Sequence, residues 1–442
     1  MSPPSKNPSR RSRGARHPNP LDVWAGGRLA GQWTVREGEH RLQYAQAFAA
    51  SPDRCALSLS LPFAADNAAL RGPAVENWFD NLLPTGAGRR QRLQRRFGTA
   101  STDAFDLLSV VGIECAGTVQ VLLPGTTPDD STRTDSEPLT DAEVEQAIDA
   151  SLSTTRASGQ GDAVLLGALG GTQEKIALRR HGDRWFRPSQ AAPTTHILKR
   201  PSEAASAENE WLCSRVMAAF GFDTAACDIA TFGRHKVLVI ERFDRAAIDA
   251  GSGTERIARL PQEDCCQALG RPVAQKYETD GGPGMREILR VLDSSIDAPG
   301  DRTTFVKAQM VFWLLAATDV HAKNLSIFPA PGGGCRLAPF YGVNSAWPGT
   351  DAGRRSKLAM ALRSKSAHWQ LSDLSPRHWD GVARLAGLGD ARSLCEELAA
   401  QVPGVLARIE SLLPAGFPED VARPILDGIR TTAARLHDAR EA

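Results

Sequence analysis

Alternating apolar and polar positions come first along this chain, and helical spacing comes later. From Leu21 to Trp33 the run Leu-Asp-Val-Trp-Ala-Gly-Gly-Arg-Leu-Ala-Gly-Gln-Trp alternates around a Gly-Gly step, which predicts a β-hairpin opening a small β-rich unit. Leu57 to Pro62 alternates as well and predicts another strand. Val75 to Leu83 and Arg89 to Phe97 read as helices, with Gly98 as the stop. Pro124 to Pro138 is dominated by Pro, Gly, Ser, Thr and Asp and reads as a linker. It separates a unit at residues 21–123 from the rest of the chain. Thr140 and Glu143 then fit a Thr-x-x-Glu capping box at the head of a helix reaching about Ser151. Strands are predicted at Lys175 to Arg180, His196 to Lys199 and Val237 to Arg242, with a helix over Asn209 to Ala219. Phe305, Ala308, Phe312 and Leu315 recur at intervals of 3, 4 and 3. They predict a helix over Thr304 to Ala317 packed on one face, which Val311 and Leu314 widen. From there helices dominate, and those between Leu371 and His437 are expected to pack as a bundle. Strands first and helices later predict an α+β fold with two lobes, at residues 139–243 and 244–442, behind the small N-terminal unit.

At 442 residues the chain exceeds one ordinary core, and roughly two or three domains are expected. Its 52 basic and 51 acidic residues leave a formal net charge of +1, so the whole molecule lacks the footprint of a dedicated nucleic-acid binder. The most basic folded segment holds Arg89, Arg90, Arg92, Arg95 and Arg96. It reads as a solvated helix face, with a nucleic-acid or partner contact as the alternative. Residues 1–20 are rich in Pro, Ser, Arg and Lys and lack the apolar core of a secretory signal; they read as a disordered basic tail. The eight cysteines form no Cys-x-x-Cys pair and show no matching His spacing, which indicates neither a zinc site nor a disulfide framework. No run of about 18 apolar residues predicts a membrane span. A reduced, cytoplasmic setting is expected.

The chemistry is concentrated in Thr318-Asp319-Val320-His321-Ala322-Lys323-Asn324, directly after the apolar helix. An Asp five residues before an Asn is the catalytic-loop spacing of a protein kinase, in which the Asp accepts the proton of the acceptor hydroxyl and the Asn holds a metal ion. His321 and Lys323 are then candidates to steady phosphates. Upstream, Gly170-Gly171-Thr172-Gln173-Glu174-Lys175 precedes a strand, and a loop free of side-chain bulk lets backbone N–H groups approach phosphate oxygens. Alone it would read as a plain turn. Lys199 ends an apolar strand, where a nucleotide needs a cation near its phosphates, and Glu210 or Glu208 is its candidate partner. Glu241-Arg242-Phe243 leaves the core at the point where two lobes would join. It reads as a segment whose backbone pairs with an adenine, or as an edge strand ending at a surface loop.

Taken together, these segments resemble the HipA family of bacterial serine/threonine kinase toxins from Leu21 to the C-terminal region. Further matching motifs are Arg259-Leu260-Pro261-Gln262-Glu263-Asp264, Lys276-Tyr277-Glu278, Asp280-Gly281-Gly282-Pro283-Gly284, Leu337 to Tyr341 and Lys357-Leu358-Ala359-Met360. The resemblance implies a kinase-like two-lobed fold with a small β-rich N-terminal subdomain and a helical C-terminal lobe. It implies ATP and Mg²⁺ as cofactors, with Asp319 as catalytic base and Asn324 as metal ligand. Gly170 to Lys175, Lys199, Glu241 to Phe243, His321 to Asn324 and Tyr341 are the implied ATP-binding residues. A helix-turn-helix antitoxin of the HipB type is the implied partner, with operator DNA contacted mainly through it. The implied substrate is an aminoacyl-tRNA synthetase, notably the glutamate enzyme, and the implied outcome is growth arrest and persistence.

Two positions depart from the family pattern. In Pro339-Phe340-Tyr341-Gly342-Val343-Asn344-Ser345-Ala346, Gly342 stands where the family has a metal-binding Asp. Loss of that ligand is expected to cost several kcal/mol of transition-state stabilisation, on the order of 10²-fold or more in rate. Asn344 is a candidate substitute oxygen. Ala168 occupies the position of a serine that the family often autophosphorylates. A working kinase toxin, a kinase-fold binding module and a small-molecule phosphotransferase are therefore the competing readings, the last disfavoured by the matches outside the site.

Overall fold

The computed structural model describes residues 20–128, 136–156, 160–188, 193–201, 203, 205–249, 255–349, 356–363, 366–389 and 391–437. The expected basic tail, apart from Pro20, and residues 129–135 of the expected linker lie outside them. Strands β1 (Leu21–Ala25) and β2 (Arg28–Arg36) form the anticipated hairpin. Its turn needs glycine: Gly26 and Gly27 have φ of +56° and +75°, the left-handed pair of a tight two-residue turn. With β3 (Glu39–Tyr44), β4 (Leu70–Arg71) and β5 (Val119–Leu122) they build an antiparallel sheet in the order β4-β3-β2-β1-β5. Helices α1 (Pro73–Asp80) and α3 (Ala104–Val111) pack on it, and α2 (Ala87–Phe97) packs against α3. Gly98 ends α2 at φ +70°, as a left-handed C-terminal glycine does. Leu57 to Pro62 is no strand. Its alternation has another cause: Leu57 and Leu61 enter the core, while the Ser58 and Ser60 hydroxyls donate to the Gln267 carbonyl at 3.3 and 2.6 Å.

The second sheet runs β10-β11-β9-β7-β8-β6 and is antiparallel throughout. Its strands are β6 (Ser136–Leu139), β7 (Lys175–His181), β8 (Arg184–Pro188), β9 (His196–Lys199), β10 (Cys227–Phe232) and β11 (His235–Glu241). Residues 136–138, assigned to the linker from composition, thus form the sheet edge, where the missing N–H of Pro138 is tolerated. Helix α4 (Asp141–Leu152) carries the Thr140–Glu143 capping box, and α5 (Ser206–Ala219) crosses between β9 and β10 in sequence. One apolar cluster joins both sheets. It runs from Trp33, stacked on Phe79 at 3.8 Å, through Val144 and Ile148 of α4 to Ile176, Leu198 and Val237. The segments on either side of residues 124–138 therefore share a core.

The remaining half is not purely helical. It holds β12 (Arg245–Asp249) paired with β13 (Glu255–Arg259), β14 (Glu263–Asp264) with β15 (Ser326–Pro329) and β16 (Cys335–Leu337), and β17 (Lys357–Arg363) with β18 (Ala367–Gln370). Helix α6 (Ala298–Leu314) starts six residues before the expected Thr304, because Asp297 caps it by accepting from the Gly300 N–H at 3.2 Å. From Phe305 to Leu314 it is buried around its whole circumference except at Lys307, so it is the axis of this half rather than a one-faced helix. Helices α7 (Ala391–Leu412) and α8 (Glu419–His437) pack with α5 and α6 in the second apolar cluster. Among the described residues no helix is long and apolar enough to cross a membrane.

Candidate active site

The cleft between the second sheet and the α6 half collects most of the residues expected to act. Its sheet-side wall begins with the glycine loop. Lys175 turns back to donate to the Gly170 carbonyl at 2.5 Å. A Cβ on Gly171, which has φ +93°, would lie 2.8 Å from the Lys175 Nζ. The left-handed φ favours glycine there, and a side chain would also push the Lys175 ammonium aside. Helix α2 clamps the same loop. Arg89 donates to the Gly171 carbonyl at 3.3 Å and pairs with Glu174 at 3.3 Å, Arg92 also pairs with Glu174, and the Thr85 N–H donates to the Gly171 carbonyl. Arg96 is buried against Asp162 and the Ala150 carbonyl. The arginine-rich helix is therefore an internal fastening rather than a solvated face; of the five, Arg95 is the exposed one.

Strand register then sets the cations. Lys175 of β7 lies directly opposite Lys199 of β9, and the two-residue period puts Ile197 on the cleft face with Lys199. Lys199 pairs with Glu210 of α5, whereas Glu208 pairs with Lys236 at 2.6 Å, which resolves the choice between the two. Burial pushes the Lys175 ammonium well below its ordinary pKa, and the positive charges of Arg89 and Lys199 push the same way.

At the junction of the lobes, Leu82, Ala116, Leu169, Ile197, Ile240 and Phe243 line an apolar slot. Two of the three expected junction residues serve the fold instead. The Glu241 and Arg242 N–H groups donate to the Ala226 and Thr195 carbonyls at 2.8 and 2.9 Å. The Arg242 guanidinium points inward to Glu114 at 2.7 Å, to Asp244 and to the Cys115 carbonyl. Arg245 and Arg259 also pair with Glu114, which is fully buried. Burial alone would raise the Glu114 pKa, but Arg259, Arg245 and Arg242 outweigh it and hold the carboxyl down at about 2.

The opposite wall is the loop after α6. The half-exposed Asp319 accepts a hydrogen bond from the Tyr277 hydroxyl through Oδ1, and Tyr277 packs edge-on against the buried His321 at 4.8 Å. Burial, with Lys276 adding to it, lowers His321 to about 4, so the imidazole is neutral near pH 7. Lys323 is not available to phosphates as expected. Its three ammonium hydrogens are satisfied by the Asn81 carbonyl at 3.0 Å, Asn81 Oδ1 at 2.9 Å and Asp264 Oδ2 at 2.6 Å. The Ala322 N–H is likewise taken by the Lys276 carbonyl at 3.2 Å. Tyr341 keeps its hydroxyl on Ser326 Oγ and the Lys323 carbonyl and offers the cleft its ring, 5.5 Å from Phe243.

Asn324 donates through Nδ2 to the Asp319 carbonyl at 2.7 Å, which leaves its Oδ1 for other work. That oxygen lies 3.8 Å from where a Cβ on Gly342 would sit, and Gly342 has φ +68°. Asn344 turns its Nδ2 to the Gly342 carbonyl at 3.2 Å and toward Glu210 at 3.5 Å. The cleft carboxylates are largely engaged: Glu210 by Lys199, Asp264 by Lys323 and Asp244 by two arginines, while the exposed Glu241 stands at the apolar end. With Gly342 in place, the oxygens left for the Mg²⁺ that the resemblance implies are Asp319 Oδ2 and the neutral amide oxygens of Asn324 and Asn344, a poor fit for a cation held through one or two carboxylates and substrate phosphates.

Sequence reasoning did not single out Glu114 or Asn81. Asp264, Lys276 and Tyr277 carried a signal, as parts of matching motifs, but were given no role.

Residues 21–122 match the family description "HipA N-terminal domain" and residues 167–406 match "HipA-like C-terminal domain". The Sinorhizobium fredii protein Y4mE, named as a candidate kinase, is 30% identical over 421 residues, covering 92% of each chain. The serine/threonine-protein kinase toxin HipA of Shewanella oneidensis is 28% identical over 351 residues, covering 76% of this chain and 77% of that one. A solved complex of S. oneidensis HipA with HipB and its operator DNA superposes with a TM-score of 0.77 at 22% identity, covering 95% of this chain and 97% of that one.

Proposed function

The chain belongs to the HipA family of kinase toxins, and from that premise we propose that it binds ATP in this cleft and acts as a serine/threonine kinase toxin. The observation that carries the reading is the Lys199–Glu210 ion pair facing the Asp319–Asn324 loop across one cleft, the arrangement that phosphoryl transfer requires of its two walls. The base adenine occupies the apolar slot, and Lys175 and Lys199 orient the phosphates. Asp319, steadied by Tyr277, takes the proton of a Ser or Thr hydroxyl as it attacks the γ-phosphorus. The acceptor belongs to a translation protein, glutamate–tRNA ligase or another aminoacyl-tRNA synthetase, and its modification in the cytoplasm arrests growth. A HipB-like helix-turn-helix antitoxin restrains the chain and supplies most of the contact with operator DNA, in keeping with the net charge of +1. The test is transfer from γ-labelled ATP to purified synthetases with their tRNAs. Asp319→Asn abolishes it, and undiminished transfer in that variant refutes the assignment.

Gly342 favours a second reading. With no carboxylate beside Asn324, the fold acts as a binding module that engages antitoxin and nucleotide and transfers phosphate slowly or not at all. A gain of transfer and of toxicity in Gly342→Asp supports it, and a folded variant with no gain counts against it.

A further inference from the structure

We infer that this cleft holds its nucleotide without a divalent cation, with Lys175 and Lys276 neutralising the phosphates in its place. The inference rests on the ATP-binding reading above, which both alternatives share. It starts from the mismatch between the donor set and Mg²⁺. Asn324 Oδ1 faces a glycine, the Asn344 amide nitrogen is turned to the Gly342 carbonyl, and Asp319 Oδ1 is already engaged by Tyr277. A metal at the phosphates would have Asp319 Oδ2 and the neutral amide oxygens of Asn324 and Asn344 but no carboxylate from position 342, a weak protein share of a shell that phosphates and waters would have to complete.

The cations of the cleft are arranged in the opposite sense. Lys175 and Lys199 are direct cross-strand neighbours on one face, and like charges in that position are destabilising unless something answers them. Glu210 answers Lys199. Among the described residues no carboxylate pairs with Lys175, whose one hydrogen-bond partner is the Gly170 carbonyl, leaving two N–H donors at the phosphate end. On the other wall Lys276 also lines the cleft, and its Nζ lies 4.9 Å over the Tyr277 ring rather than on a carboxylate. Burial holds the Lys175 pKa down, and an arriving polyphosphate raises it again, so that one ammonium on each wall supplies the positive charge that Mg²⁺ would bring. A family member that kept the carboxylate at position 342 would need the metal to offset it; here that negative charge is absent, so lysines alone suffice for the polyphosphate.

The experiment is calorimetric titration of the purified full chain with ATP, once in excess Mg²⁺ and once in excess EDTA. The expected result is a Kd that changes by no more than about twofold between the two, well below the tenfold step that 1.4 kcal/mol represents. Lys276→Met is expected to weaken the EDTA titration about tenfold, and Gly342→Asp to make binding depend on Mg²⁺ while becoming insensitive to Lys276→Met when the metal is present. A purely structural role for Lys276 would not produce that interchange. Tenfold or tighter binding in Mg²⁺ by the unaltered chain overturns the inference while leaving nucleotide binding standing. Absence of ATP binding in both buffers, in protein shown folded by its circular dichroism, overturns the nucleotide reading itself.

Discussion

The two walls of the cleft are built on different principles. On the sheet side most charged groups are fastened in buried pairs: Glu174 is clamped by Arg89 and Arg92, Lys199 by Glu210, and the lobe junction by Glu114 with its three arginines, Lys175 being the exception. On the side of the loop after α6, Asp319 is half exposed and Gly342 replaces a carboxylate with nothing but a left-handed turn. Removal of a charge from the first wall strands a buried partner. On the second wall the buried Lys323–Asp264 pair is fastened in the same way, but position 342 carries no charge that a buried partner depends on. Chemistry can therefore be lost at position 342 while the cleft persists, and the largest effect of mutation on stability should lie in the Glu114 cluster of the first wall.

Glu114 tests this most severely. Glu114→Gln leaves Arg242 and Arg245 on Asp244 and takes from Arg259 its carboxylate at Glu114, all in a buried site, and breaking a buried pair from one side costs about 3–5 kcal/mol. Urea denaturation at neutral pH should show a loss of this size. The pH dependence has a definite sign. The folded carboxyl, at about 2, releases its proton more readily than the ordinary 4.5 of the unfolded chain. Its contribution is thus complete above the unfolded value and is lost as pH falls from there toward about 2. Glu114→Gln should flatten that part of the stability profile, and an unchanged profile would mean that the cluster is not what joins the lobes.

Next in size is the opposite wall. Gly342→Asp should leave the urea midpoint nearly unchanged, since Asp tolerates φ near +60° better than most residues and its Cβ meets nothing closer than the Asn324 side chain at 3.8 Å. In Mg²⁺ it should raise phosphate transfer about 100-fold or more, equivalent to about 2.7 kcal/mol of barrier. Gly342→Ala separates charge from backbone: the same left-handed φ applies without a carboxylate, so it should lower stability by about 1 kcal/mol and bring no activity. If both variants gain transfer, the wall lacks rigidity rather than a ligand.

The same asymmetry governs what could be read in the sequence. Local signals translate directly: the Gly-Gly hairpin, the Thr140–Glu143 box and the left-handed Gly98 each depend on residues a few positions apart. Pairing of Lys199 with a glutamate of the next helix was legible because strand and helix are consecutive, but the choice of Glu210 over Glu208 came from the structure. The failures involve long-range partners. Nothing around Glu114 distinguishes it from a surface acid, as its arginines lie 128 to 145 residues away. Leu57 to Pro62 imitated a strand because its serines bond a carbonyl about 210 residues on. Lys323, predicted to meet phosphate, is claimed by Asn81 and Asp264. The missing carboxylate at Gly342 was visible at once, since the chemical wall depends on residue identity and hardly at all on packing.

The smallest effect addresses how the first wall stays rigid. Arg92 and Arg89 both hold Glu174, but Arg92 is the more exposed of the two, at 29% against 9% for its side chain, and it lacks the second bond that Arg89 makes to the Gly171 carbonyl. Arg92→Ala should therefore cost only about 0.5–1 kcal/mol of stability, in the range of partly exposed ion pairs. Its informative consequence is local. With one of two fastenings gone, the loop from Gly170 to Glu174 spends more time away from its phosphate-binding position, and apparent ATP affinity falls by the fraction of time lost, about two- to fivefold. Amide exchange at Thr172 to Glu174 should quicken while that of β9 stays unchanged. Were affinity and exchange both unaffected, the loop would be held without helix α2, and the tie between nucleotide binding and the N-terminal subdomain would rest on Glu114, on Asn81 with Lys323 and on the Thr85 N–H.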